Sequence, residues 1–360
     1  MLDQEYYRKF ISGKTGGMGF IVRFLLRMMS LFYAAVVKVR NYLYDIGWLK
    51  IHQAGHPVIC VGNITTGGTG KTPLVIWLCN LLSEKKKTVV LTRGYKSSKN
   101  HENSRVYLDE PQLLKESCPN VEVIVNSDRV AGVTEGIKKY EAEIFVMDDG
   151  FQHRRLYRDI DIVTIDATEP FGYSRLLPAG LLREPIKALR RTDAVVLTRT
   201  DQVDKSQLNK IEEQIMKMNK ELVVARTVHR VMSIKRTDGE EIKLEQLKGK
   251  RVFAFCGIGN PGSFMTTLSN LGAEVVGEKI YNDHYHYGQA DIREFLGLAE
   301  RTNAELILTT QKDFSKIDLK RYKLRDEDEK RFVYLEIELC FKSGEEKIRA
   351  LIEKLLGVRI

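Results

Sequence analysis

The chain carries Val61-Gly62-Asn63-Ile64-Thr65-Thr66-Gly67-Gly68-Thr69-Gly70-Lys71-Thr72-Pro73 between two apolar segments. The run Val58–Val61 predicts a strand, and Leu74–Leu82 predicts the helix that follows the glycines. Glycines let successive backbone N–H groups surround a polyphosphate, and the helix N-terminus adds the positive end of its dipole. We therefore interpret the run as a phosphate-binding loop, in which Lys71 reaches the β- and γ-phosphates and the Thr72 hydroxyl binds Mg²⁺.

This loop departs at one position from the pattern G-x-x-x-x-G-K-[ST], because Thr65 stands where the pattern has glycine. Gly67 and Gly68 supply flexibility two residues later. The alternative interpretation is a glycine-rich turn that only caps a helix, but the order of strand, loop and helix favours a nucleotide site. The residues predicted to contact the nucleotide are Thr65, Gly67, Gly68, Thr69, Gly70, Lys71 and Thr72.

The composition is that of a folded protein with a bias toward anionic partners. The 360 residues are 43% hydrophobic and 29% charged, which predicts two or three domains with a large core. The net charge of +9 favours nucleic acid, phosphorylated substrates or an acidic membrane surface as partners. The five cysteines are scattered and form no metal-ligand spacing, so reduced cytosolic thiols are expected.

The N-terminal segment predicts a helix at a membrane surface. Residues Phe20–Val39 are mostly apolar, but the longest uncharged run, Met28–Val37, is shorter than the roughly 20 residues of a membrane span. On a helix the polar residues fall on one narrow stripe, namely Arg23, Arg27, Ser30, Lys38 and Asn41. A wide apolar face beside this stripe predicts an interfacial helix with its cations toward acidic headgroups. A core helix of a globular domain is the alternative.

Beyond this helix the pattern alternates between strand and helix. Strands are predicted at Val58–Val61, Thr88–Thr92, Val121–Val125, Ile144–Met147, Ile160–Ile165, Ala194–Thr198, Arg251–Cys256, Glu274–Ile280 and Glu305–Thr309, and a last helix at Gly344–Leu356. The pattern predicts an α/β fold with a doubly wound, mainly parallel sheet of the P-loop NTPase type and a smaller C-terminal α/β domain. The predicted parts are an N-terminal amphipathic helix in residues 1–50, a kinase-type domain in 51–218, a β connector in 219–248 and a C-terminal domain in 249–360.

A second chemical signal is the pair of acids at the end of the strand Ile144–Met147. The chain continues Asp148-Asp149-Gly150-Phe151-Gln152-His153. An acid at the end of a buried strand beside a phosphate-binding loop holds Mg²⁺ in many nucleotide-binding proteins. The pair could instead form a solvated turn, but the phosphate-binding loop in the same sheet favours the metal site. Asp148 and Asp149 are both candidates.

These motifs together resemble the tetraacyldisaccharide 4′-kinase family. The likeness rests on strings that occur in order along the chain from about residue 20 to about residue 340. They are the phosphate-binding loop, Thr92-Arg93-Gly94-Tyr95, Asp109-Glu110-Pro111, Asp148-Asp149-Gly150-Phe151-Gln152-His153, Leu177-Pro178-Ala179-Gly180-Leu181-Leu182-Arg183-Glu184-Pro185, Cys256-Gly257-Ile258-Gly259-Asn260-Pro261, Asp283-His284 and Thr309-Thr310-Gln311-Lys312-Asp313. The string from Asp148 to His153 is much more specific than the phosphate-binding loop alone.

The resemblance implies an enzyme that uses ATP and Mg²⁺ to phosphorylate the 4′-hydroxyl of a lipid A disaccharide precursor. It implies an acylated disaccharide lipid and an acidic membrane surface as partners, no nucleic acid, and a peripheral location on the cytoplasmic side of the bacterial inner membrane. It also implies that Asp109, paired with His284, assists removal of the hydroxyl proton. Leu108 replaces the glycine that usually precedes the Asp-Glu-Pro string, and His286 lies close enough in sequence to be confused with His284.

Each of these residues also has a structural interpretation. Asp109 could belong to an ordinary acidic turn before a helix, and His284 could be an exposed loop residue. Possible substrate or phosphate contacts are Arg93, Tyr95, Glu110 and Arg129. The string Thr198-Arg199-Thr200-Asp201 lacks the asparagine of a guanine-reading motif, so GTP specificity is not expected. A soluble small-molecule kinase and a nucleotide-driven switch remain alternative functions.

Overall fold

A computed structural model describes residues 4–13, 18–94 and 109–359. The chain divides into two compact units. Unit 1 comprises Met1–Tyr95, Leu114–Val228 and Phe341–Ile360, and unit 2 comprises Lys96–Leu113 and His229–Cys340. The sequence scheme grouped residues 341–360 with the C-terminal domain, whereas these residues belong to unit 1. There a Cβ on Gly344 would lie only 2.7 Å from the Val224 carbonyl oxygen.

The described residues form α-helices, short 3-10 helices and strands. The α-helices are α1 (Gln4–Ile11), α2 (Met18–Asp45), α3 (Lys71–Ser83), α4 (Asp109–Ser117), α5 (Arg129–Tyr140), α6 (Lys205–Met216), α7 (Pro261–Asn270), α8 (Gln289–Arg301), α9 (Gln311–Phe314), α10 (Asp326–Glu329) and α11 (Glu345–Leu356). The strands are β1 (Val58–Gly62), β2 (Thr88–Thr92), β3 (Glu122–Val125), β4 (Ile144–Asp148), β5 (Ile160–Asp166), β6 (Ala194–Thr198), β7 (Val223–Arg236), β8 (Glu241–Ile242), β9 (Arg251–Cys256), β10 (Glu274–Ile280), β11 (Leu306–Thr310) and β12 (Phe332–Ser343). The 3-10 helices are Gly172–Ser174, Ile186–Arg191, Thr200–Gln202, Leu244–Leu247 and Leu319–Tyr322.

The sheet of unit 1 is parallel, in the order β7-β6-β5-β1-β4-β2-β3. Its central strands are mostly apolar and are buried along their whole length, as parallel strands covered on both faces are. Val61 of β1 pairs with Asp148 of β4. The phosphate-binding loop and the paired acids therefore leave the sheet at the same edge.

In unit 2 the strands β10, β9, β11 and β12 form a parallel sheet in that order, and β8 pairs antiparallel with β7. An aromatic core covers it, with Phe253, Phe255, Phe295 and Phe332 all buried. Unit 2 includes the first residues of α4, which begin with Asp109.

The predicted strands all occur, with ends that differ by one residue at most. β7, in the region predicted as a β connector, is one strand of 14 residues. β12 is a 12-residue strand that was not predicted from the sequence. β12 alternates apolar and acidic residues near its centre, in Leu335-Glu336-Ile337-Glu338-Leu339, which is the signal that could have revealed it.

The N-terminal helix α2 lies with one side against the rest of unit 1. Ser30 donates to the Leu176 carbonyl at 2.8 Å, and Tyr33 donates to the Arg183 carbonyl at 2.9 Å. Asn41 donates to the buried Glu184 carboxylate at 3.1 Å. Two members of the predicted polar stripe, Ser30 and Asn41, thus bind protein, whereas Arg27 and Lys38 are exposed.

The other side of α2 presents large apolar side chains to the exterior, among them Phe32 at 75% exposure. This exposure rules out the alternative of a core helix. Residues Gly19–Asp45 are long and apolar enough to cross a membrane by length and composition alone. The short uncharged run was expected to exclude a membrane span, but it does not. The few charges are spread along one side of a helix that is long enough to cross.

Candidate active site

The phosphate-binding loop has the backbone that its glycines predict at two positions. Gly67 (φ 105°) and Gly70 (φ 82°) adopt left-handed conformations, which favour residues without a side chain. α3 begins at Lys71 directly after Gly70, so its first N–H groups lie at the end of the loop. Such a helix N-terminus attracts phosphate.

Thr65, the departure from the general pattern, is explained by the neighbouring backbone. It forms an antiparallel bridge with Leu182. The flanking backbone is tied to the same segment, because Thr66 donates to the Leu181 carbonyl and Arg183 donates to the Ile64 carbonyl, each at 2.7 Å. A position whose backbone is extended and paired in this way does not require glycine.

Side chains from neighbouring segments form hydrogen bonds that fix the phosphate-binding loop. The buried Thr69 hydroxyl lies 2.7 Å from that of Thr164 and accepts from Asn63 Nδ2 at 3.1 Å. Thr198 donates to the Thr69 carbonyl at 3.0 Å, and Arg199 donates to the Gly68 carbonyl at 2.9 Å. Thr198 and Arg199, which resemble a defective guanine-reading motif, thus fix the conformation of the phosphate-binding loop. Sequence reasoning missed this role.

Asp149 lies between two cations beside the loop. Its carboxylate is 3.6 Å from Lys71 Nζ and 2.8 Å from Arg183 Nη1, and Asp149 has a left-handed backbone (φ 49°). Burial raises the pKa of the Asp149 carboxyl, but the charges of Lys71 and Arg183 outweigh burial and lower this pKa to about 2. Arg183 belongs to one of the strings that carry the family resemblance, but no role was predicted for it. The Arg-Glu-Pro string after an apolar run was the only sequence feature that could have indicated this role.

Asp148, the first of the paired acids, lies in contact with Arg129. Arg129 is buried and donates from Nη2 to the Asp148 carbonyl at 3.2 Å, while Asp148 Oδ2 lies 3.4 Å from the Thr92 hydroxyl. Burial lowers the pKa of the Arg129 guanidinium, against the charges of Asp148 and Asp149. Carboxylate and hydroxyl oxygens are the donors that Mg²⁺ prefers, so Thr72, Asp148 and Asp149 fit a magnesium ion chemically.

A close backbone approach joins the two motifs of unit 1. A Cβ on Gly62 would lie 2.5 Å from the Phe151 Cβ, and Gln152 Nε2 donates to the Asn63 carbonyl at 2.8 Å. The segment after the paired acids therefore folds back over the end of β1. Only glycine allows this approach at position 62.

The remaining candidates lie in unit 2. Asp109 is the first residue of α4. Its neighbour Glu110 accepts from Lys312 Nζ at 3.1 Å, and Lys312 also contacts Asp283 Oδ1 at 3.2 Å. His284 has a left-handed backbone (φ 64°), and its Nε2 lies 3.8 Å from Asp283 Oδ2.

The charges of this group perturb one another. Burial raises the pKa of the Asp283 carboxyl, but Lys312 and His284 outweigh burial and lower it. Burial lowers the pKa of the Lys312 ammonium, but the carboxylates of Glu110 and Asp283 outweigh burial and raise it well above its usual value. Lys312 is therefore a fixed cation.

Other predicted residues are less constrained. Arg93 and His286 are exposed, and Thr72 is half-buried at the start of α3. Tyr95 lies outside the described residues. Asn260, in the string that begins with Cys256, caps α7 by accepting from the Ser263 N–H at 3.1 Å.

The chain matches a known protein family over most of its length. The family model described as LpxK, tetraacyldisaccharide-1-P 4′-kinase, matches residues 22–357. The chain belongs to this family. It is 35% identical over 328 residues to the tetraacyldisaccharide 4′-kinase of Halothermothrix orenii, covering 84% of this chain and 85% of that protein. It is 36% identical over 308 residues to the Aquifex aeolicus enzyme, covering 82% of this chain and 90% of that protein.

A solved structure agrees with the sequence matches. The crystal structure of LpxK from Aquifex aeolicus in complex with ATP superposes with a TM-score of 0.69 at 32% identity, covering 93% of this chain and 99% of that one. The predicted family and the α/β fold class are confirmed. The protein is accordingly a kinase that transfers phosphate to a hydroxyl group. α1 and the first residues of α2 precede the part that matches the family model.

Proposed function

We propose that this kinase transfers the γ-phosphate of ATP to the 4′-hydroxyl of a tetraacyldisaccharide 1-phosphate, forming lipid IVA at the cytosolic face of the inner membrane. Its family membership and the ATP in the related Aquifex aeolicus structure support the choice of donor. The observation that carries the proposal is the contact of Lys71 with Asp149 and of Asp149 with Arg183 beside the phosphate-binding loop.

Phosphoryl transfer needs the protein mainly to position the phosphates and to neutralise their charge. We assign ATP binding to residues 65 and 67–72. Lys71 then neutralises charge on the transferred group, and Asp149 keeps that ammonium in place before ATP arrives. Thr72 with Asp148 or Asp149 would hold Mg²⁺, which supplies further charge neutralisation. Arg93, Glu110 and Arg129 remain proposed contacts of substrate or phosphate.

The acceptor hydroxyl must lose its proton as it attacks. We assign assistance in this step to Asp109 and His284, on the strength of the family resemblance. The imidazole would accept the proton, and a carboxylate close to it would orient the ring. The contact of His284 with Asp283 supports a histidine held in a fixed orientation.

The substrate is a membrane lipid, and α2 supports a membrane location. One side of this helix is bound to unit 1 at Ser30, Tyr33 and Asn41, and the opposite side is apolar and exposed. A helix attached to a folded unit along its length can insert only the other side. We therefore propose that α2 lies in the membrane interface and does not cross the bilayer.

The test is incubation of the purified protein with radiolabelled ATP, Mg²⁺ and tetraacyldisaccharide 1-phosphate in detergent micelles, followed by thin-layer separation. We expect a labelled lipid product with the wild type and with the control Lys85→Ala, an exposed lysine beyond α3. Lys71→Ala, Asp109→Ala and His284→Ala should each lower the rate by at least about 100-fold.

Other outcomes distinguish the alternatives. Full activity in the three variants would refute the assigned mechanism. Phosphorylation of a water-soluble sugar without any requirement for lipid would indicate a soluble small-molecule kinase. Slow ATP hydrolysis without a phosphorylated product would indicate a nucleotide-driven switch.

A further inference from the structure

A lysine in unit 2 joins two segments that carry proposed site residues. Lys312 Nζ lies 3.1 Å from Glu110 Oε1 and 3.2 Å from Asp283 Oδ1. Glu110 follows Asp109 at the start of α4, and Asp283 precedes His284. The three side chains are largely shielded, with 18 to 20% of each exposed. One ammonium group therefore links two segments that are far apart in sequence.

We propose that Lys312 is a positioning residue of the kinase reaction, which holds the Asp109-Glu110 start of α4 and the Asp283-His284 segment in a fixed relation. This inference rests on the proposed function, which assigns Asp109 and His284 to the acceptor hydroxyl. Lys312 itself forms no bond to a reacting group. It acts through the two carboxylates that it bridges.

The backbone of Lys312 is itself anchored, which makes it a suitable fixed point. The next residue, Asp313, is fully buried and accepts from the Gly257 N–H at 3.0 Å, the Thr310 hydroxyl at 2.8 Å and Lys316 Nζ at 3.0 Å. The lysine therefore leaves a short helix, α9, whose position is set by core hydrogen bonds. A mobile surface lysine would not fix its partners in this way.

The charge balance explains why a cation is needed. Glu110 and Asp283 both approach the same ammonium, so its loss would leave two shielded carboxylates that repel each other. His284 would feel the change most, because it adjoins Asp283 and has a left-handed backbone that its surroundings must maintain. The other charged pair close by, Asp313 with Lys316, is internally neutralised.

Two substitutions at this position separate charge from mere bulk. Lys312→Met keeps the aliphatic stem and removes the cation, and Lys312→Arg keeps the cation. In the labelling assay we expect Lys312→Met to lower kcat about 100-fold, because a displacement of about 1 Å in catalytic groups has that effect. The KM for ATP should stay within about twofold, since the residues assigned to ATP binding are elsewhere. Lys312→Arg should retain at least about one tenth of the wild-type kcat.

The split between kcat and the KM for ATP, together with rescue by Lys312→Arg, provides a readout that a purely structural role would not give. General damage to the fold would lower kcat and raise the KM for ATP in both variants. Loss of the bridge lowers kcat in Lys312→Met alone, because only that variant lacks the cation that links Glu110 and Asp283.

The exposed Lys320 on the same unit provides the matched control, and Lys320→Met should match the wild type in kcat and in the KM for ATP. Wild-type kcat in Lys312→Met would overturn the inference and leave the proposed function intact. Equal losses of kcat in both Lys312 variants would also overturn it, since they indicate a structural role. Failure of the wild type to phosphorylate the lipid would instead refute the proposed function.

A second set of variants keeps the test decisive if Lys312→Met folds poorly by circular dichroism. Glu110→Gln and Asp283→Asn each remove one of the two carboxylates and leave the lysine in place. The rate loss of Glu110→Gln combined with Asp283→Asn should be smaller than the product of the two single losses, by about tenfold. Multiplicative losses would contradict a bridge between the two carboxylates.

Discussion

At the scale of single residues, His153 has an unusual environment beside the paired acids. Its Nε2 is buried and has no hydrogen-bond partner among the residues that the structure describes. Burial, with the nearby charges of Arg129, Arg158 and Arg155, lowers the pKa of the imidazole to about 4 from its usual 6.5, and Asp128 opposes this only in part. The native protein therefore holds His153 neutral where an unfolded chain would charge it.

This difference predicts a loss of stability in mild acid. Between pH 6.5 and about 4 the unfolded chain binds a proton at His153 that the native protein does not, so the free energy of unfolding falls as the pH falls. After allowance for solvent screening we expect about 1 to 2 kcal/mol from this group. Urea unfolding of His153→Gln at pH 7 and pH 4.5 should show a smaller decrease than the wild type. The control His286→Gln, at an exposed position, should behave as wild type, and equal decreases in all three proteins would contradict the assignment.

The sequence predicted the conformation and position of a residue where a motif fixes the backbone. It could not predict the contacts of a residue whose partners come from distant segments. The glycine-rich run predicted the left-handed Gly70 and the position of Lys71 at the start of α3. It could not predict that Arg183 neutralises Asp149, because these residues meet only when the segment around Leu182 pairs with Thr65.

At the scale of elements, one buried carboxylate is among the groups that join α2 to the rest of unit 1. Glu184 is fully buried and contacts Arg40 at 3.2 Å, Asn41 at 3.1 Å and Arg191 at 3.0 Å. Arg191 in turn lies 3.8 Å from the centre of the Phe151 ring. Glu184 is thus one of the groups that connect the exposed apolar helix to the segment that follows the paired acids.

Removal of this carboxylate should be costly. Glu184→Gln leaves Arg191 and Arg40 without the anion that they share, and we expect a loss of about 2 to 4 kcal/mol in the free energy of unfolding. Glu345→Gln is the matched control, because its pair with Arg349 on α11 is half-exposed and should contribute below about 0.5 kcal/mol. Urea midpoints measure both changes. A Glu184→Gln midpoint no lower than that of the control would show that the buried network is energetically unimportant.

Elements differed in how far their sequence revealed them. The fully buried strands β1, β2 and β4 are continuous apolar runs, and their positions were predicted almost to the residue. β12 escaped because only one side of it is consistently apolar and charged residues interrupt the run. The contacts of α2 with Leu176, Arg183 and Glu184 depend on tertiary structure, and no local pattern encodes them.

At the scale of the whole molecule, a net charge of +9 and an exposed apolar helix act together. Basic charge attracts a protein to acidic lipid over a Debye length, whereas insertion of apolar side chains retains it there. The two contributions differ in their response to salt, since only the first is screened. A protein held mainly by α2 should therefore remain bound to vesicles when the ionic strength rises.

Substitutions in α2 test the membrane attachment of the full chain. Substitution of the exposed Phe24, Leu31 and Phe32 of α2 by Asp removes three inserted side chains, each contributing about 1.5 to 3 kcal/mol if fully buried in lipid. We expect the fraction that sediments with acidic phospholipid vesicles in 0.5 M salt to fall at least about tenfold. This salt concentration is roughly five times the ionic strength at which the Debye length is about 10 Å.

Met232→Asp, at an exposed apolar residue of β7, is the control and should sediment as the wild type does. Because one side of α2 is bound to protein, alkaline carbonate should release the wild-type protein. Resistance to carbonate would show that α2 crosses the bilayer, and unchanged sedimentation of the triple variant would show that another surface binds the membrane.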